Sequence, residues 1–425
     1  MGSQRDAASV IFNLPGYRVV EAVDLPLGGR RVKVRPVDLE GGCPACGVVS
    51  GRVHGWVSQR VRDVPHAGRV EVVVVKPRLV CVEPACPRRT FTSATEELPA
   101  RARCTTRLRT ALLEAVIDSG RAVAEVAAAH RVAWWTVQAT VNAAAVLLPD
   151  VDQLHIRRLG IDEHRYRSVR WFRDEAGGWT RVEPWMTTFV NAASGRVLGI
   201  VDGRDSAAVA GWLAARQPAW RARVKVVAID PSAAFKRAIA EQLPHAQISV
   251  DRFHLVQLAN LMLTRVRQRL VRDREQRRGR AVDPAWAHRQ LLLRGYDTLS
   301  IRGRARLDQV FATDDPTDEL SAAWGVKEQL RRLLKAPTVE QARTEKMILG
   351  CYVLAADMAE TDRLWATIEA WWPAVEVLIA TGVTNARTEA ANTAIKQIKR
   401  TGRGYRQSAH YQARILLRSA ARRAA

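Results

Sequence analysis

The 425-residue sequence predicts an α/β core interrupted by an all-α segment and preceded by a metal-binding module and a helix cluster. Three observations carry this reading. Five short apolar runs have the length of strands: Ile156 to Asp162, Trp185 to Val190, Val197 to Val201, Val224 to Asp230 and Gln247 to Asp251. A Ser194-Gly195 turn and helix-like segments separate them, three strands first and then two with helices interposed. Two close cysteine pairs stand near the N-terminus, and from Asp251 to about residue 380 the pattern is helical and poor in strand-like runs. The divisions expected are 1–104, an N-terminal region with a zinc-finger module at 43–86; 105–150, a helix-turn-helix; 151–263, the first part of the core; 264–380, a helical insertion; and 381–425, the rest of the core with a basic C-terminus.

Composition bounds the possibilities. A hydrophobic content of 47% supports packed cores rather than disorder. Apolar stretches such as Val72 to Val75 and Ala143 to Leu148 fall far short of the roughly 20 residues a bilayer span requires, and no signal-peptide pattern opens the chain. A cytoplasmic protein with no membrane partner is expected. Lys and Arg number 66 against 43 Asp and Glu, a formal charge of +23 that favours a polyanionic partner, nucleic acid first, although an Arg-rich solvated surface gives the same sum. Six cysteines are too few for a disulfide scaffold in so long a chain, and pairing of four of them points to metal in a reducing compartment.

Residues 1 to about 40 read as an irregular lead with one short β segment, Arg31 to Val37. From Cys43 to Cys86 the chain holds a Gly-rich turn and a strand-like run, Arg69 to Lys76. Cys43 with Cys46, and Cys81 with Cys86, supply four soft thiolates in two knuckles, the donor set of a closed tetrahedral zinc site. Its role is structural, because no ligand position remains for substrate; His54, His66 or Cys104 are alternatives for one thiolate. Leu108, Leu112, Ala115 and Val116 then recur at helical spacing up to Gly120. A helix Val123 to His130, a break at Arg131-Val132 and a second helix through Trp134 suit a helix-turn-helix, with Trp135, Thr136 and Gln138 near a major groove. An αα-hairpin that packs Trp134 into a core explains the same pattern.

In the core, Asp162 ends an apolar strand, where desolvation penalises a charge unless a cation compensates. Glu163 points to the other strand face. Val226, Val227 and Ile229 run into Asp230 in the same way, though Asp230-Pro231 is also a good helix N-cap. Glu389 opens a helix with Asn392, Lys396 and Lys399 on its face, which from spacing alone reads as a solvated stripe. The helical segment begins with eight arginines between Arg265 and Arg280; Arg265, Arg267 and Arg269 are its first candidates for DNA contact. Trp365, Trp371 and Trp372 read as helix-packing residues.

The strings Gly160-Ile161-Asp162-Glu163-His164, Ile229-Asp230-Pro231-Ser232, Val250-Asp251-Arg252-Phe253-His254, Asn385-Ala386-Arg387-Thr388-Glu389 and Gly402-Arg403-Gly404-Tyr405-Arg406, in this order, resemble the ISL-three family of insertion-sequence transposases. The resemblance spans about Cys43 to Tyr411 and includes the zinc-finger and helix-turn-helix modules. It implies an RNase H-like catalytic core in which Asp162, Asp230 and Glu389 hold two Mg²⁺ or Mn²⁺ ions, with a helical insertion before the glutamate and a structural Zn²⁺ in the N-terminal module. Asp251 and His254 match an Asp-x-x-His element beside the metal site, where His254 contacts the scissile phosphate or positions a carboxylate. Lys396, Lys399, Arg400, Arg403 and Arg406 are expected to grip the DNA backbone. The partners implied are double-stranded DNA, both terminal inverted repeats and target, and a second copy of the chain; the location implied is the nucleoid. The rival readings are a nuclease or resolvase of the same fold that does not join DNA, and a DNA-binding regulator with a disused core.

Overall fold

A computed structural model describes residues 6–26, 28–66 and 68–421. The chain forms two compact units, one from residues up to Leu148 together with those from Ile398 onward, the other Pro149–Gln397.

In the first unit the lead is more ordered than its sequence predicts. A helix Ala7–Phe12 and a strand Tyr17–Asp24 precede the anticipated strand Arg30–Pro36, because Phe12, Leu14 and Tyr17 bury against Val32, Val34, Val72 and Val74. Strand Val70–Val80 lies at the centre of this sheet, parallel to Arg30–Pro36 and antiparallel to Val53–Val61. Helices Thr106–Ile117, Val123–Ala129 and Trp134–Val146 follow, packed through Leu108, Leu112, Val126, Val137 and Val141. The break between the last two falls at Arg131, in a left-handed conformation at φ 52°. Arg107 ties the helices to the sheet through an ion pair with buried Asp63.

The sequence assigns 381–425 to the core as one piece, but in the structure its last part joins this first unit. Helix Ser408–Ala421 buries Arg414, whose guanidinium donates to the carbonyls of Gly120 (2.7 Å) and Arg121 (2.9 Å) and to the Tyr405 hydroxyl (2.8 Å). Three oxygen acceptors compensate a charge that could not otherwise be buried.

The second unit is built on a five-stranded sheet, β1 Arg158–Arg165, β2 Trp185–Asn191, β3 Val197–Asp202, β4 Val226–Ile229 and β5 Gln247–Val250, in the order β3-β2-β1-β4-β5. The first three are antiparallel; β4 and β5 run parallel to β1. This is the RNase H-like arrangement. Helices α1 Ser206–Ala214 and α2 Ala233–Gln242 cover one face through Val209, Leu213, Phe235 and Ile239 against Leu159, Ile161, Phe189 and Ile229. Because side chains alternate along a strand, Gly160 and Asp162 face the other side.

From Arg252 the chain is helical: α3 Arg252–Glu275 leads into shorter helices and then Ile301–Asp314, Glu319–Leu333, Val339–Ala356 and α4 Ala359–Thr381, around a core of their own. α3 is unbroken, so no boundary falls at 264. Trp365, Trp371 and Trp372 pack partly buried against this core. Helix α5 Ala386–Thr401 then returns to the sheet.

Candidate active site and metal centres

The sheet register brings the acids together. Ile161 of β1 pairs with Ile229 of β4, which pairs with Val250 of β5, so the next residues, Asp162, Asp230 and Asp251, stand in one row. Asp230 and Asp251 lie just past the ends of β4 and β5, but Asp162 does not end its strand as the sequence suggests, because β1 goes on pairing with β2 as far as Arg165. α5 lies over this row and buries Thr388, Asn392 and Ile395, a stripe of helical period that Asn385, just before the helix, extends. Gly160 makes that approach possible: a Cβ there would stand 2.0 Å from Thr388 Oγ1.

Asn385, just before α5, and Asn392 within it each hold one carboxylate of the row. Asn392 Nδ2 donates to Asp162 Oδ2 at 2.7 Å, and Asn385 Nδ2 donates to Asp230 Oδ1 at 3.1 Å. The amide of Asn392 is itself oriented, because its oxygen accepts from Thr188 Oγ1 at 3.0 Å on β2. The other Asp162 oxygen accepts from the Glu163 N–H at 2.7 Å. His254, on the first turn of α3, places Nε2 2.9 Å from Asp230 Oδ2 and Nδ1 3.8 Å from Glu389 Oε1.

Charge is crowded here. Burial, then the neighbouring Asp230 carboxylate, pushes Asp162 up to about 6. Burial also raises Glu163 and Glu389, with Asp230 and Asp251 respectively as the next cause. His254 is raised in turn by its hydrogen bond to Asp230. Glu163 is partly relieved by Arg204 at 3.8 Å. Several desolvated carboxylates around one imidazole are a set of hard oxygen donors that a divalent cation would neutralise, and they fit Mg²⁺ or Mn²⁺.

Asp251, His254 and Glu389 each offer a ligand atom within 4.8 Å of the others. The Asp251 carboxylate is already engaged, however, accepting from Phe253 N–H at 2.7 Å and Asn385 N–H at 2.9 Å. It caps α3 and ties the entry of α5 to the sheet. Asp230 is engaged in the same way, by Asn385 and by His254, and His254 links it to Glu389.

At the other metal centre, Cys43, Cys46, Cys81 and Cys86 bring their sulfurs within 4.8 Å of one another, with Cys43 to Cys86 at 3.9 Å and Cys46 to Cys81 at 3.6 Å. A zinc tetrahedron with bonds of about 2.3 Å sets sulfurs about 3.8 Å apart, so the four thiols fit that ion. The backbone N–H of Ala45 pulls the Cys43 thiol down to about 6, while Cys46 and Cys81 are raised, so the four thiols do not all lose their protons together without a cation between them. Cys104 is instead buried among the helices of residues 105–148.

The structure separates the candidates for DNA contact. Trp135 is 64% exposed, and Trp134 is 37% exposed beside it rather than in a core. Gln138 is buried and donates to Asn142, so it cannot reach a groove. Arg267 is buried, and Arg269, two residues on and therefore on a different side of α3, is paired with Glu360 (2.8 Å) and Glu319 (3.2 Å); neither belongs to an open basic face. Arg265, Lys396 and Arg400 are exposed, and Arg403 pairs with Glu125 of the helix-turn-helix. Sequence reasoning overlooks the asparagine clamps, although the seven-residue spacing of Asn385 and Asn392, two helical turns, is a signal for them.

An RNase H-like core with a row of carboxylates on its central strands, preceded by a zinc ribbon and a helix-turn-helix, defines a DNA-processing enzyme of the transposase class. Family models match in three segments: the zinc-finger of transposase IS204/IS1001/IS1096/IS1165 over residues 40–86, the helix-turn-helix domain of transposase family ISL3 over 93–145, and the transposase of that family over 159–415. The chain belongs to the ISL3 family of transposases. It is 26% identical over 388 residues to the transposase for insertion sequence element IS1001 of Bordetella parapertussis, covering 88% of this chain and 87% of that one. A similar solved structure is the Drosophila P element transposase strand transfer complex, at a TM-score of 0.40 and 8% identity over 74% of this chain and 91% of that one. Among the described residues no helix is long and apolar enough to cross a membrane.

Proposed function

We propose that this transposase binds the terminal inverted repeats of its own insertion sequence and both cuts and joins DNA with two Mg²⁺ or Mn²⁺ ions held by Asp162, Asp230 and Glu389. The observation that carries the reading is the row of acids on the central strands facing the helix of Glu389, with Asp162 desolvated and pushed up to about 6. Asp162, Asp230 and Glu389 would hold the two divalent cations, which would supply activation of a water or 3′-hydroxyl and stabilisation of the leaving oxygen in an in-line displacement. The chain supplies position. Asn392 aims Asp162, Asn385 and His254 aim Asp230, and Asp251 anchors the backbone from which α5 starts. His254 acts here as a positioning residue.

In this reading the region to residue 104, with zinc on Cys43, Cys46, Cys81 and Cys86, and the helix-turn-helix of 105–150 hold the repeat, Trp135 and Thr136 facing the groove. The segments after 151 and after 381 carry the chemistry, with the helices from Arg252 to Thr381 between them. Arg265, Lys396, Lys399, Arg400, Arg403 and Arg406 grip phosphates. Two copies pair the two element ends. Support for joining comes from the family alone, so the test is strand transfer. A precut repeat end, incubated with the protein, Mg²⁺ and a supercoiled target, is expected to yield covalently joined product. Cut ends that never join would leave a nuclease.

A further inference from the structure

Between β1, which carries Asp162, and β2, the chain extends a separate two-stranded hairpin, Arg170–Arg173 paired with Trp179–Val182. All eight strand residues are exposed, including Trp171 at 57%, Phe172 at 50% and Trp179 at 64%. A lone hairpin is marginally stable in water, and one that exposes large aromatics on its surface needs something to cover them.

The pairing register shows what. Arg181 stands opposite Trp171 and Trp179 opposite Arg173, and because alternate residues share a face, these four side chains form a checkerboard of two indoles and two guanidiniums. Asp174, at the start of the turn, is turned to the loop, accepting from Gly178 N–H at 2.6 Å. Arg181 is held at the base by Glu183 at 2.5 Å and Arg173 rests near the Gly177 carbonyl, which leaves most of their five donors each for another partner. The base is clamped to the core, with Tyr166 N–H donating to the Pro184 carbonyl at 2.8 Å. Arg165, the last residue of β1, is three residues from Asp162, about 10 Å along the strand at about 3.3 Å each.

We propose that this face binds a DNA strand beside the active site, with unstacked bases lying on Trp171 and Trp179 and phosphates on Arg173 and Arg181. Flat indoles offer every base a stacking surface only when the base has left the duplex stack, while interleaved cations follow the backbone. The chemistry therefore selects single-stranded or frayed DNA, as at the end of an element being opened. The proposal rests on the enzyme acting on DNA, but not on the identity of the metal-binding acids.

The test is binding of a fluorescently labelled 20-nucleotide single strand and the matching duplex to the full zinc-loaded chain, without Mg²⁺, by anisotropy over a range of salt. Trp171→Ala and Trp179→Ala are each expected to weaken single-strand binding about fivefold or more, with Phe at the same positions retaining most of it and the duplex affected less. Arg173→Gln and Arg181→Gln are each expected to lower the slope of log K against log salt by about 0.7. All four residues are exposed, so the variants should melt as the parent does. Wild-type affinity and slope in all four variants would overturn the proposal, as would a change confined to oligomeric state, which would make the face a contact between copies. Because no cleavage is scored, loss of cutting by Asp162→Ala with strand binding intact bears on the active site alone.

Discussion

Asp162 sits where water would not leave a carboxylate, and two hydrogen bonds hold its oxygens there while Asp230 repels it. Asn392 makes one of those bonds and is itself fixed by Thr188, so the amide aims the carboxylate rather than merely solvating it. Partners of ligating carboxylates of this kind typically contribute 10–100-fold to metal affinity or activity. Asn392→Ala is therefore expected to lower cleavage by about that factor, to raise the Mg²⁺ concentration needed for half-maximal rate, and to leave repeat binding unchanged. Rate against Mg²⁺ concentration, measured beside DNA affinity, checks it; a rate loss that no Mg²⁺ concentration recovers, with DNA binding lost as well, would mean the helix has been displaced instead. At this scale the acids were legible and their supports were not. Asp162 and Asp230 stand out because apolar strands run into them, whereas Asn385 and Asn392 look like ordinary helix polar residues until the register of β1 and the absence of a side chain at Gly160 bring α5 down upon them.

Elements explain which contacts are structural and which are offered outward. In helix Trp134–Val146, Gln138 is buried and bonded to Asn142 while Trp135 projects. Gln138→Ala should cost about 1 kcal/mol of stability with little change in DNA affinity, since a buried hydrogen bond is lost. Trp135→Ala should weaken repeat binding without lowering the melting temperature. Melts and binding curves on both variants check the pair, and the reverse pattern would turn the helix around. The zinc knuckles make an equally sharp case, because a small sheet module with Cys43 and Cys86 buried beside Leu79 and Phe91 gains much of its folding energy from the ion. Chelation is expected to release about one zinc per chain and to lower the melting temperature of the N-terminal unit, with repeat binding lost in parallel; atomic absorption and calorimetry measure both. A chain that melts identically without zinc would make the thiols idle. Periodicity shows the helices of 105–148 and the knuckles from sequence, but not Tyr17–Asp24 or Val53–Val61, whose exposed faces dilute the alternation that marks a strand.

Over the whole molecule, a formal charge of +23 draws DNA to the protein without saying where it lies. The arginines illustrate this: of Arg265, Arg267 and Arg269 in α3, Arg267 is buried and Arg269 is spent on Glu360 and Glu319, leaving Arg265 exposed. Composition counts charges and the fold decides which of them face a partner. The order of modules was legible from cysteine pairs, helical spacing and apolar runs, whereas the return of the last helix to the N-terminal unit was not, because nothing in its sequence announces that buried Arg414 will seek the carbonyls of Gly120 and Arg121. The central claim remains that Asp162, Asp230 and Glu389 together form a metal-dependent DNA-cutting site. The measurement that tests it most directly is cleavage of labelled DNA carrying the element's terminal repeat, in Mg²⁺ or Mn²⁺, by the parent chain and by Asp162→Ala, Asp230→Ala and Glu389→Ala. Metal-dependent cutting at the repeat tip that disappears in all three variants while repeat binding persists is the predicted result; parental cutting by any one of the three folded variants would contradict it.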